Sequence, residues 1–164
     1  MKKLIATFAL MGCSFGLMAQ DTLPLQTGQM LDATVISKVT LKEGQNRENL
    51  WFSVETNRVE GTSTHKLSNC TMTTDVNLKE GKMHLQSKQL RCISTTGEIF
   101  TDKNIQASLT ASTSEVCTSG SGKCSEITLQ PGSNYVFEIK NSSSLIAEFN
   151  PSREINLMRL QQDI

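Results

Sequence analysis

Leu50-Trp51-Phe52-Ser53-Val54 carries apolar side chains at every second position, with Trp51, Ser53 and Glu55 in the other phase. Alternation with a period of two sends successive side chains to opposite faces, so this stretch reads as a strand with one buried face. The pattern recurs on both sides. Upstream, Leu31, Ala33, Val35, Val39 and Leu41 share one phase, with Asp32, Thr34, Lys38 and Thr40 in the other. Lys42-Glu43-Gly44-Gln45-Asn46 supplies a turn between the two. Trp51 and Phe52 are neighbours, so one faces the core; the other is covered by the C-terminal segment or serves as an interface. Both are therefore candidate interface residues.

Downstream, Met72 to Leu78 is a weaker strand, closed by Lys79-Glu80-Gly81-Lys82. Met83 and Leu85 share a phase that Leu90 and Cys92 do not, so a bulge near Gln86–Gln89 or a break into two strands is required. Ile99, Ile105, Ala107 and Leu109 are read as one apolar phase. Tyr135, Phe137 and Ile139 follow the turn at Pro131-Gly132. Leu145, Ala147 and Phe149 come after a turn at Asn141–Ser144. Pro151-Ser152 opens a C-terminal helix reaching about Gln161, without a clean apolar stripe. Seven to nine short strands predict an all-β fold: an antiparallel β-sandwich or partly open β-barrel. The organisation is a lead-in over 20–29 and one β-domain with its C-terminal segment over 30–164.

The N-terminus begins Met1-Lys2-Lys3, continues through Leu4–Met11 and ends in small residues before Gln20. A cationic start, an apolar stretch and Leu17-Met18-Ala19 make a secretory signal over 1–19. A second reading takes Leu10-Met11-Gly12-Cys13 as a lipobox, with a signal over 1–12 and lipidated Cys13. The apolar stretch is too short to span a bilayer. Export to the periplasm follows, with outer-membrane association through a partner or an acylated Cys13. Of 164 residues, 16 are basic and 16 acidic. Without Lys2 and Lys3 the balance is 14 against 16, near −2, which argues against a nucleic-acid partner.

Four cysteines remain beyond Cys13: Cys70, Cys92, Cys117 and Cys124. In an oxidising compartment they read as two disulfides, and the nearest-neighbour pairing is Cys70–Cys92 with Cys117–Cys124. The spacing from Cys117 to Cys124 is too wide for a zinc ligand pair, and His65 and His84 do not complete one. No metal or other cofactor is expected. Gly120-Ser121-Gly122-Lys123-Cys124 lacks both the upstream Gly and the Ser or Thr of a phosphate loop. No Gly-x-Ser-x-Gly occurs, and Glu98, Asp102, Glu115 and Glu126 are scattered singly. No catalytic residue is assigned, and the chain is read as not an enzyme.

The run from Cys70 through Leu78, Lys79-Glu80-Gly81-Lys82-Met83-His84-Leu85, Gln89-Leu90-Arg91-Cys92 and Thr96-Gly97-Glu98-Ile99 resembles the C-terminal β-domain of the TraB/TrbI family. These are outer-membrane-core scaffold proteins of conjugation and type IV secretion systems. Leu23–Leu31 looks like the approach to that domain, and Leu129-Gln130-Pro131-Gly132-Ser133 is similar to a late strand lead-in. The match covers about 23–109, and 126–140 loosely. Family members start with an inner-membrane helix and a Pro-rich linker, and insert a helical hairpin through the outer membrane. Here a signal stands first, and 111–125 is short, polar and cysteine-bearing. The resemblance implies a reduced periplasmic relative that docks with other envelope-complex subunits. Two alternatives stand beside it: a periplasmic binding or inhibitor-type protein, and a fimbrial or adhesion subunit.

Overall fold

The computed structural model describes residues 21–61, 63–112, 116–118 and 124–162, with side chains left aside over 111–123. The expected signal over 1–19 and Cys13 lie outside the described residues. Twelve strands and two helices are described: β1 (Thr22–Leu25), β2 (Met30–Val35), β3 (Val39–Lys42), β4 (Asn46–Val54), α1 (Thr56–Glu60), β5 (Leu67–Lys79), β6 (Lys82–Ser94), β7 (Ile99–Asp102), β8 (Ala107–Ser112), β9 (Val116–Thr118), β10 (Glu126–Leu129), β11 (Asn134–Ile139), β12 (Ser143–Glu148) and α2 (Pro151–Gln162). Nine form one sheet in the order β1-β12-β7-β6-β5-β4-β2-β11-β8; a second sheet runs β3-β10-β9. All pairings are antiparallel.

The large sheet is not closed, since β1 and β8 are its edges, but it curls back on itself. Edge strand β8 comes against β6, five places away in the order, and one side chain fastens the two. The Ser87 hydroxyl accepts from the Ala107 N–H (2.7 Å) and donates to the carbonyl of Ile105 or Ala107 (2.9 and 3.1 Å). Ser87 is buried. Removing its hydroxyl leaves the Ala107 N–H without that acceptor, so Ser87→Ala is expected to lower stability by about 1–3 kcal/mol in urea denaturation.

The bulge expected near Gln86–Gln89 is present. β6 is one 13-residue strand, and its register against β5 slips between Thr73↔Gln89 and Thr74↔Ser87. Lys88 is the extra residue. Below it Met83, Leu85 and Ser87 face inward; above it Leu90, Cys92 and Ser94 do. The turn into β6 has φ of 55° at Glu80 and 72° at Gly81. Two consecutive positive φ values give a tight hairpin matched to the strand twist. The Glu43 carboxylate accepts from both of these N–H groups (2.6 and 3.1 Å).

The core is continuous and gathers Leu23, Leu31, Phe52, Phe100, Tyr135 and Phe137. Phe52 packs edge-on against Tyr135 and Phe137, with centroids 5.5 and 5.4 Å apart. Three sequence expectations change. The lead-in contains β1, whose Leu23 and Leu25 are buried around Pro24. Asp21 O accepts from Ala147 N, so ladder alternation turns the Pro24 nitrogen to the open edge, where a missing donor costs nothing and discourages pairing. In β7 the core residue is Phe100, not Ile99, which is only half-buried. Phe149 leaves the phase of Leu145 and Ala147 because β12 ends at Glu148.

Candidate functional site

The described residues hold no group of three His, Cys, Asp or Glu side chains that could bind a metal ion. The Cys70–Cys92 disulfide joins residues directly opposite in the β5–β6 ladder. It is the one disulfide found among the described residues, where two were expected; the Cys117 side chain, and with it the expected Cys117–Cys124 pairing, lies outside them. Its backbone is paired with Ile127 in β10, three residues beyond Cys124.

Trp51 and Phe52 divide as strand geometry demands. Phe52 is fully buried and is no interface residue: its ring fills the space between β4 and β11. Trp51 is 50% exposed. Ile36, also exposed, directly follows β2 and donates its N–H to the Trp51 carbonyl, so the two residues lie opposite one another.

The helix α2 is held by its first turn. Asn150 Oδ1 accepts from the N–H groups of Ser152 and Arg153 (3.2 and 3.4 Å), a helix N-cap, while its Nδ2 donates to Gly97 O. Arg153 reaches Thr96 O (3.1 Å) and the Glu98 carboxylate (3.3 Å), with its stem beside Gly97. His65 Nδ1 lies 3.7 Å from Glu98 on the other side and its ring rests on Phe100. Beyond that turn nothing is buried: Ile155, Leu157, Met158 and Leu160 are all exposed. At 100° per residue, Leu157 and Leu160 share the side of Arg153, while Ile155 and Met158 lie opposite. The missing apolar stripe in the sequence is thus a helix with apolar groups on two sides.

Ion pairs hold the surface in register. The Leu67 N–H on its carboxylate, helped by Lys66, keeps Glu60 below the usual carboxylate range and ties α1 to β5. Burial pushes Asp75 up, but Lys88 at 2.7 Å and the Asn49 N–H outweigh it, so Asp75 sits low and Lys88 high. Lys103 lowers Glu148 in the same way.

Two clefts of about 780 Å³ each open on the surface. One lies between β1 and α1 and includes Pro24, Arg58 and His65. The other lies between β3 and β4, from Ser37 to Arg47. No protein-family model and no curated protein matches the chain.

Proposed function

We propose that this chain is a non-enzymatic structural component of a bacterial cell-envelope complex, of the conjugation or type IV secretion kind that its 70–99 segment resembles. One observation carries the reading: α2 is anchored at one turn and presents Ile155, Leu157, Met158 and Leu160 to solvent on two sides. Contiguous exposed apolar groups mark interaction surfaces, and a helix apolar on opposite sides suits a position between two neighbours. Half-exposed Trp51 with Ile36 is a second contact. Export to the periplasm, a Cys117–Cys124 bridge and, if cleavage precedes Cys13, a lipid anchor complete the proposal. β1 is engaged with β12 of its own chain, which weighs against a fimbrial subunit that donates its N-terminal strand.

Extraction from the native envelope in mild detergent tests this. The chain is expected in a large, defined complex, and a chain lacking residues 151–162 is expected to migrate alone at about 15 kDa or below, scaled from 18.1 kDa for 164 residues. The truncated chain should lose only a little melting temperature, because no α2 residue is buried and only the partly buried Arg153 contacts go. A wild-type chain that migrates alone removes the assembly reading and leaves a periplasmic binding or inhibitor-type protein, for which the polar cleft at β1 and α1 is the available site.

A further inference from the structure

We infer that the wedge between β3 and β4 is a docking site for an extended, acidic segment of a partner protein, which adds as a strand to one or both of its walls. The inference deepens the assembly reading and rests on it for the existence of a partner.

The wedge arises where two consecutive strands part. Lys42-Glu43-Gly44-Gln45 is a tight turn, with Gln45 N donating to Lys42 O (2.9 Å) and Gly44 at φ 80°. A hairpin ladder does not follow from it. β3 pairs with β10, and β4 pairs with β5 and, only over Phe52–Val54, with β2. Each wall therefore carries a strand edge that no described strand covers. β3 is the edge of its sheet, and the Asn46–Leu50 part of β4 is open on the side away from β5.

Ladder alternation identifies the backbone groups concerned. Glu43 N donates to Ser125 O, so Leu41 and Val39 bond toward β10 and Thr40 turns its N–H and C=O to the cleft. Lys42 is already occupied on that side, since its N–H and C=O both meet Gln45. Across the cleft, Leu78 N donates to Gln45 O. Arg47 accordingly bonds to Val76 while Asn46 turns its N–H and C=O outward. An unpaired edge is a template for an added strand.

The lining sets the chemistry of the occupant. Lys38 and Arg47 are its charged side chains, and Ser37, Thr40, Gln45 and Asn46 its polar ones. Among the described residues neither Lys38 nor Arg47 has a carboxylate partner, in contrast to Lys66, Lys88, Lys103, Lys140 and Arg153. The nearest acidic side chain at the turn, Glu43, is directed to the Glu80 and Gly81 N–H groups. Carboxylates on an added strand complement the charge of these two cations.

The test uses the purified, oxidised full chain and a fluorescein-labelled seven-residue peptide alternating Val and Glu, read by fluorescence anisotropy. Saturable binding is expected, with the Val/Lys counterpart at least about tenfold weaker. Lys38→Glu with Arg47→Glu should invert that order. Thr40→Pro removes the outward donor of β3 and should abolish most binding; should that variant fail to fold, N-methylation of the peptide's central amides must produce the same loss on the wild-type protein. A flat anisotropy curve, equal binding of both peptides, or indifference to N-methylation overturns the inference. A native complex that survives alongside a flat curve removes only the wedge as its docking site. Peptide binding by a chain that migrates alone removes the envelope assembly and keeps the wedge.

Discussion

Phe52→Ala is expected to lower the unfolding free energy by about 4 kcal/mol, enough to leave a marginally stable domain partly unfolded at 37 °C. Phe52 is fully buried and is the shared member of two edge-to-face contacts, with Tyr135 and Phe137. Truncation removes apolar burial, leaves a cavity between β4 and β11, and deletes both ring contacts, each worth about 0.5–1.5 kcal/mol beyond area. Trp51→Ala, one residue away, should cost under about 1 kcal/mol, because half of that side chain already meets water. Urea midpoints of the two variants measure the difference. Near-equal losses would mean that Trp51 is packed as fully as Phe52.

The second large effect is expected at the disulfide. Replacing both Cys70 and Cys92 by Ala should cost about 3 kcal/mol, since the bridge closes a segment with a sequence separation of 22. Both side chains are buried, so the cost includes lost packing as well as the freedom returned to the unfolded chain. Reduction of the wild-type protein should move the urea midpoint in the same direction. An unmoved midpoint in either experiment would mean that the β5–β6 hairpin, with its ladder and tight turn, holds without the bond.

Strand content was legible wherever one face is buried over several residues. The phases of Leu31–Val35, Leu50–Val54 and Tyr135–Ile139 all match the buried faces. The phase slip between Leu85 and Leu90 located the bulge because every side chain beyond an inserted residue changes face. Short elements were not legible. The five residues of α1 are too few to show a helical period, and β7 buries Phe100, Thr101 and Asp102 consecutively, so alternation gives no guide there. Pro24 masked β1, since proline argues against a strand unless the strand lies at an edge. The wedge was hidden for a different reason. Two alternating runs joined by a turn at Lys42–Asn46 say nothing of which strands they pair with, and nothing local reveals that β3 takes its partner from Glu126–Leu129.

Of the candidate site, the phase shared by Leu50, Phe52 and Val54 points Phe52 inward and Trp51 outward, but alternation alone does not tell how much of Trp51 the rest of the chain covers. The exposed helix was foreshadowed by the missing stripe in Ile155, Met158 and Gln162. Its attachment through Asn150 and Arg153 to the Thr96–Glu98 turn depends on tertiary placement.

The pairing of β1 with β12 constrains the order in which the molecule is made. Thr22 lies opposite Ile146, and β2 takes Asn134–Glu138 as a neighbour. Leu23 and Leu25 therefore have no place to go until nearly the whole chain has been synthesised. Such long closures make folding slow compared with that of helical domains. Local hairpins such as β5–β6 need no such wait, but the large sheet cannot be completed at β1 until β12 is available.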